Sequence, residues 1–134
     1  MSFQDPYIDE LEFNINKDFE GHFEGFTDIG LSLNSQKVES SDKDGTYKTS
    51  LTIKVGERTN VFPFYCKVIM SGIFYLNTDA DIREEDFANY HTAAILYSYA
   101  RPIISDLTSK SGFPPFNLPF MNFIEADLNY NKND

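Results

Sequence analysis

The 134 residues carry a net charge of -10, 41% hydrophobic side chains, thirteen phenylalanines, eight tyrosines and one cysteine. That length suits one domain with a real core, a lone cysteine rules out an internal disulfide framework and fits a reducing compartment, and the acidity argues against binding nucleic acid phosphates. Mean hydropathy is -0.38 and no apolar run approaches the ~20 residues that span a bilayer.

The opening MSFQDPYIDE is acidic and lacks the basic and apolar regions of a secretory signal, so a cytoplasmic protein is expected. Eleven acids and three lysines fall within residues 1–45, concentrating the negative charge in the first third. Such a surface can serve solubility or dock something basic.

From residue 27 the chain alternates Ile29, Leu31 and Leu33 with small or polar residues, the period of a half-buried strand. After the turn residues ESSDKDGT the same alternation runs through Tyr47, Thr49, Leu51, Ile53 and Val55. Residues 61–70 are apolar on nearly both faces and predict a central third strand. Ser71 and Gly72 predict a bulge or kink before Ile73, Phe74, Tyr75 and Leu76 resume extended structure.

Then the period changes. Ile95, Tyr99, Ile103 and Leu107 recur every four residues beside Leu96, Ala100 and Ile104, predicting a long helix over residues 91–111 that stops at Gly112 and that Pro102 should destabilise or bend unless packing compensates. A loop, SGFPPFNLPFMNF, holds four phenylalanines, and Asn122 is placed to cap a short helix through Leu128, leaving NYNKND as a frayed tail. The order predicts one α+β domain over residues 1–134, with a long and a short helix on one face of a four-stranded antiparallel sheet.

Catalytic equipment is sparse. Cys66 has apolar neighbours on both sides, where a thiol is an inert core group, and His22 and His91 belong to no metal-binding spacing. The seven glycines form no nucleotide-binding loop, and the acids of DIREEDF suit the start of a helix. The reading is therefore a protein without enzyme activity, metal or cofactor. The aromatic excess points to an apolar interaction surface, with the alternative that the loop is a lid whose rings, Phe123 above all, plug the domain's own core.

Tyr99, Ala100 and Arg101, then Ile104, Ser105, Asp106 and Leu107, then Gly112, Phe113, Pro114, Pro115, Leu118, Asn122 and Phe123 resemble the helix and helix-connecting loop of SecB, the bacterial protein-export chaperone family. Cys66, Lys67 and Val68, followed by Ser71, Gly72, Ile73 and Phe74, resemble that family's third strand, with Lys67 in place of an acid and Ser71 in place of a glycine. The likeness covers residues 27–125. The first 26 residues do not show the family's usual first strand, its acidic tail is missing, and Pro102 is displaced to follow Arg101.

The resemblance implies a homotetramer, a dimer of dimers with long helices packed centrally, that holds non-native polypeptides in aromatic grooves without ATP. Phe64, Phe74, Tyr75, Phe113, Phe116, Leu118 and Phe120 are then the expected client contacts, with Phe113 and Phe116 partly exposed and facing Phe74 and Tyr75. Ile95, Tyr99 and Ile103 are the expected subunit contacts, because their stripe makes a face wider than one sheet needs. Expected partners are unfolded or precursor chains, with the SecA motor, whose basic zinc-bearing tail seats on acids of the sheet face in the best-known members, or an antitoxin as further candidates. Two other readings stand beside export: a chaperone dedicated to an antitoxin, and a non-chaperone adaptor that binds one folded partner through its acidic first third.

Overall fold

In the computed structural model, which describes residues 2–21, 23, 29–38, 45–58, 62–75, 85–112, 114–121, 123 and 129–133, the alternating segments form the predicted meander. β1 (Ser2–Phe3) and β2 (Tyr7–Ile15) precede β3 (Ile29–Lys37), β4 (Thr46–Gly56) and β5 (Phe64–Tyr75); α1 (Glu85–Ser109) and β6 (Asn129–Asn133) follow. β3, β4 and β5 pair antiparallel in succession, with Leu33 opposite Leu51 and Leu51 opposite Met70. Odd positions of β3 and β4 and even positions of β5 therefore share the buried face, which is what period-two alternation dictates. Gly56 closes β4 at φ +80°, and a Cβ there would stand 2.1 Å from the Phe64 carbonyl oxygen, so only glycine fits.

The sheet is larger than the four strands expected. β1 and β2 both pair antiparallel with β5, and β6 adds to β3 in parallel, giving six strands with β5, β4 and β3 in the interior. No bulge occurs at Ser71 and Gly72, since both pair in register with β4. A bulge lies across the ladder instead: Ile8 faces Met70 and Glu10 faces Ile69, leaving Asp9 as the extra residue on β2. Residues 129–133, expected to fray, form β6 by pairing with Ser32 to Gln36. The predicted short helix over residues 122–128 lies, apart from Phe123, outside the described residues.

α1 starts earlier than the expected residue 91 and packs against β4 and β5, with Ala93, Leu96, Ala100 and Ile104 fully buried. Gly72 permits the close approach, because a Cβ there would meet the Phe74 ring at 3.0 Å and Leu96 at 3.5 Å. The helix continues through Pro102, whose ring lies on the exposed side, and Gly112 at φ +87° ends the chain's helical course as predicted.

Candidate binding surface

The loop after α1 is fastened by one stripe of the helix. Tyr97, Arg101, Ser105 and Thr108 follow at intervals of four, four and three, a spacing that places them on one face. Tyr97 Oη donates to the Pro119 carbonyl at 2.6 Å and Arg101 Nε to the Leu118 carbonyl at 3.0 Å. Ser105 Oγ donates to Asn117 Oδ1 at 2.8 Å, and the buried Thr108 Oγ accepts the Phe116 N–H at 2.7 Å while donating to the Ile104 carbonyl. The loop thus runs back along the helix with the Phe116 N–H and the Leu118 and Pro119 carbonyls bonded to it, which lets it lie on the core.

Its side chains then alternate. Phe116 and Leu118 are 2% and 1% exposed, whereas Asn117 and Pro119 face out and Phe120 is 89% exposed. Phe123 is buried edge-on against Tyr97, ring centroids 5.2 Å apart. Burial pushes the Tyr97 phenol above its ordinary pKa, with Arg101 acting the other way. A shallow pocket of about 240 Å³ between helix and loop is lined by Arg101, Pro102, Ser105, Asn117 and Leu118.

The expected client contacts therefore divide. Phe64, Phe74, Phe116 and Leu118 belong to one core cluster, so the expected partial exposure of Phe116 is corrected: the hydrogen-bonded loop turns its ring inward. Phe64 is enclosed by Phe13, Phe23 and Phe62, at centroid distances of 5.9, 5.7 and 5.3 Å. Phe74 and Tyr75 occupy opposite faces of β5, so the expected pair does not form one surface; Tyr75 is half-buried, and its hydroxyl accepts a bond from Gln4. Phe120 is open, and Phe113 lies outside the described residues. On α1, Ile95 and Ile103 are half-buried and Tyr99 is 40% exposed, a stripe beside the buried one.

One apolar surface went unread in the sequence. Ile8, Leu11 and Ile15 of β2 are each 42–44% exposed although they pair with the buried Met70, Val68 and Phe64, while Tyr7, opposite Ser71, stands on the other face beside Lys48. The alternation of Leu11, Phe13 and Ile15 was the available signal. The acids between them are paired: Asp9 with Lys48 at 3.0 Å and with the Ser71 hydroxyl, Glu10 with Lys67 at 3.4 Å, and Glu12 with Arg58. The Lys48 and Ser71 hydrogen bonds hold the Asp9 carboxyl below its ordinary range, and the same contact raises Lys48.

Burial pushes the Cys66 thiol up to about 11, so it stays protonated at neutral pH. Among the described residues no cluster of histidine, cysteine and acids could hold a metal, and no helix is long and apolar enough to cross a membrane.

The sequence matches the SecB family, preprotein translocase subunit SecB, over residues 1–131, which includes the first 26 residues. It is 28% identical to protein-export protein SecB of Nitrosococcus oceani over 92% of this chain and 70% of that protein. It is likewise 28% identical to protein-export protein SecB of Methylibium petroleiphilum over 72% of this chain, a span equal to 57% of that protein's length. The fold is similar to that of a SecB-like chaperone of Mycobacterium tuberculosis solved with a peptide of the HigA1 antitoxin, with a TM-score of 0.65 and 13% identity over 90% of this chain and 86% of that one. With the match running almost end to end and the fold agreeing, the chain belongs to the SecB family.

Proposed function

We propose that this protein is an ATP-independent holdase that binds unfolded polypeptides in extended form in the cytoplasm, without catalysis. The family match over residues 1–131 carries the reading, and the open apolar side chains give it a surface. From the expected contacts, Tyr75 and Phe120 meet clients directly, while Phe64, Phe74, Phe116 and Leu118 hold the shape beneath them. Purified protein should suppress aggregation of several unfolded clients without nucleotide. Unchanged aggregation at an equimolar ratio sinks the proposal.

The holdase works as a homotetramer. Ile95, Tyr99 and Ile103 support this, as does β2, since both leave apolar side chains half-exposed on a single chain. Light scattering should exceed the 15.4 kDa of one chain several-fold, and Tyr99→Glu with Ile103→Glu should return it to that mass with the fold intact.

Service to an antitoxin is the second reading. Asp9, Glu10 and Glu12 each have a basic partner within this chain, so a basic tail such as SecA's would have to break those pairs to dock on β2. The same pairing weakens the adaptor reading. The M. tuberculosis neighbour, by contrast, is a SecB-like chaperone in complex with an antitoxin peptide. A toxin and antitoxin encoded beside this protein, with the antitoxin soluble only in its presence, would establish the dedicated role. A client range that excludes the antitoxin and spans secreted precursors would establish export.

A further inference from the structure

β6 is a strand with little reason of its own to be one. It reads NYNKN, three asparagines and a lysine around one tyrosine, and asparagine and lysine are depleted in strands. It pairs in parallel, the less stable of the two ladder geometries, and all five of its residues match Ser32 to Gln36. What holds it is β3. That strand is fixed from its other side by β4 and by Leu31, Leu33 and Ser35 in the core, so its outer row of backbone N–H and C=O groups is rigid and in place for any extended partner. Main-chain pairing of that kind does not read sequence, which suits a protein that must accept many chains.

We infer that the outer edge of β3, Ser32 to Gln36, is a strand-addition site for an extended segment of an unfolded polypeptide, and that β6 is its displaceable internal occupant. The inference rests on the holdase reading and adds to it a backbone-recognition site distinct from the aromatic surface. A client segment rich in β-branched or aromatic residues pairs at least as well as NYNKN and takes its place.

The test locks the occupant in place. Asn34 and Asn131 are Cα partners across the β3–β6 ladder, so Asn34→Cys with Asn131→Cys places two thiols for a disulfide, while Cys66 is buried and does not compete. Binding of a reduced, carboxymethylated, permanently unfolded protein is measured with the oxidised and the reduced form of that one variant. The oxidised form should bind roughly tenfold more weakly, the equivalent of one or two net hydrogen bonds. Equal affinity of the two forms overturns the inference and leaves the holdase reading standing. No binding by either form, with none by the unsubstituted protein, overturns both. A disulfide that fails to form, or a reduced form that associates through β3 with another copy in preference to the client, also overturns it.

Discussion

The loop over residues 114–121 and strand β2 invert the usual roles of loop and strand. The loop has no ladder of its own, yet Phe116 and Leu118 are in the core; β2 is laddered to β5 on both sides of its bulge, yet Ile8, Leu11 and Ile15 on its core-facing side are more than 40% exposed. Backbone satisfaction and side-chain cover are separate conditions. Tyr97, Arg101 and Thr108 hold the loop's backbone and so allow it onto the apolar face, while α1 rests on β4 and β5 and, among the described residues, Ile8, Leu11 and Ile15 of β2 stay half open. Binding capacity is therefore to be sought on the strand and on the outward residues of the loop, and folding stability in the loop's inward ones.

Phe116→Ala sharpens this most. Removing a ring at 2% exposure should cost about 3–5 kcal/mol of stability through lost transfer energy and the cavity left behind. Phe120→Ala, at 89% exposure, should leave stability within about 0.5 kcal/mol. Urea denaturation of both variants decides. Equal losses would mean that the loop is one unit and the inward–outward division is false.

Thr108→Val tests the fastening itself. The substitution keeps the shape of the side chain but strands the buried Phe116 N–H, at a cost of about 1–3 kcal/mol in denaturant unfolding. A neutral outcome would place the loop's order in its apolar contacts alone. On the binding side, Phe120→Ala should weaken capture of an unfolded client by about 1–2 kcal/mol, the range of a single anchor. Titration calorimetry reads this, and unchanged affinity would move recognition away from the loop.

Much of the architecture was legible because its signals are local. The odd-position alternation of Ile29 to Leu33 and of Tyr47 to Val55, the four-residue recurrence from Ile95 to Leu107 and the stop at Gly112 each reduce to a period or a φ angle. β2 was missed because the bulge at Asp9 shifts its phase and acids occupy the intervening positions. β6 carries no strand signal at all; an available edge on β3 creates it, and no property of NYNKN announces that edge. Of the site, the phenylalanines were visible but their direction was not. The informative residues were polar ones: Tyr97, Arg101, Ser105 and Thr108 form a hydrogen-bonding stripe on a helix otherwise read only for its apolar face.

The smallest effect separates the two regions by chemistry. The loop is held by neutral donors and one arginine on carbonyls, whereas β2 carries side-chain ion pairs at Asp9, Glu10 and Glu12. The folded Asp9 carboxyl titrates below its unfolded value, so its contribution is complete above the unfolded value and disappears as pH falls through the folded one. Lys48, raised by the same contact, keeps its contribution below its unfolded value and loses it as pH rises through the folded one. Between those limits the pair is intact, but both side chains are about 40% exposed, so solvent screening holds its worth to below about 1 kcal/mol. Acidification through the carboxylate range should therefore raise the amide exchange of β2, corrected for intrinsic rate, before that of Phe116, and Asp9→Asn should remove most of this difference. Moderate salt at neutral pH should do the same more weakly, because screening reaches exposed pairs and spares the buried Thr108 contact. Should both regions loosen together, β2 would owe its place to the β5 ladder alone, and its charges would serve only to keep an apolar strand soluble.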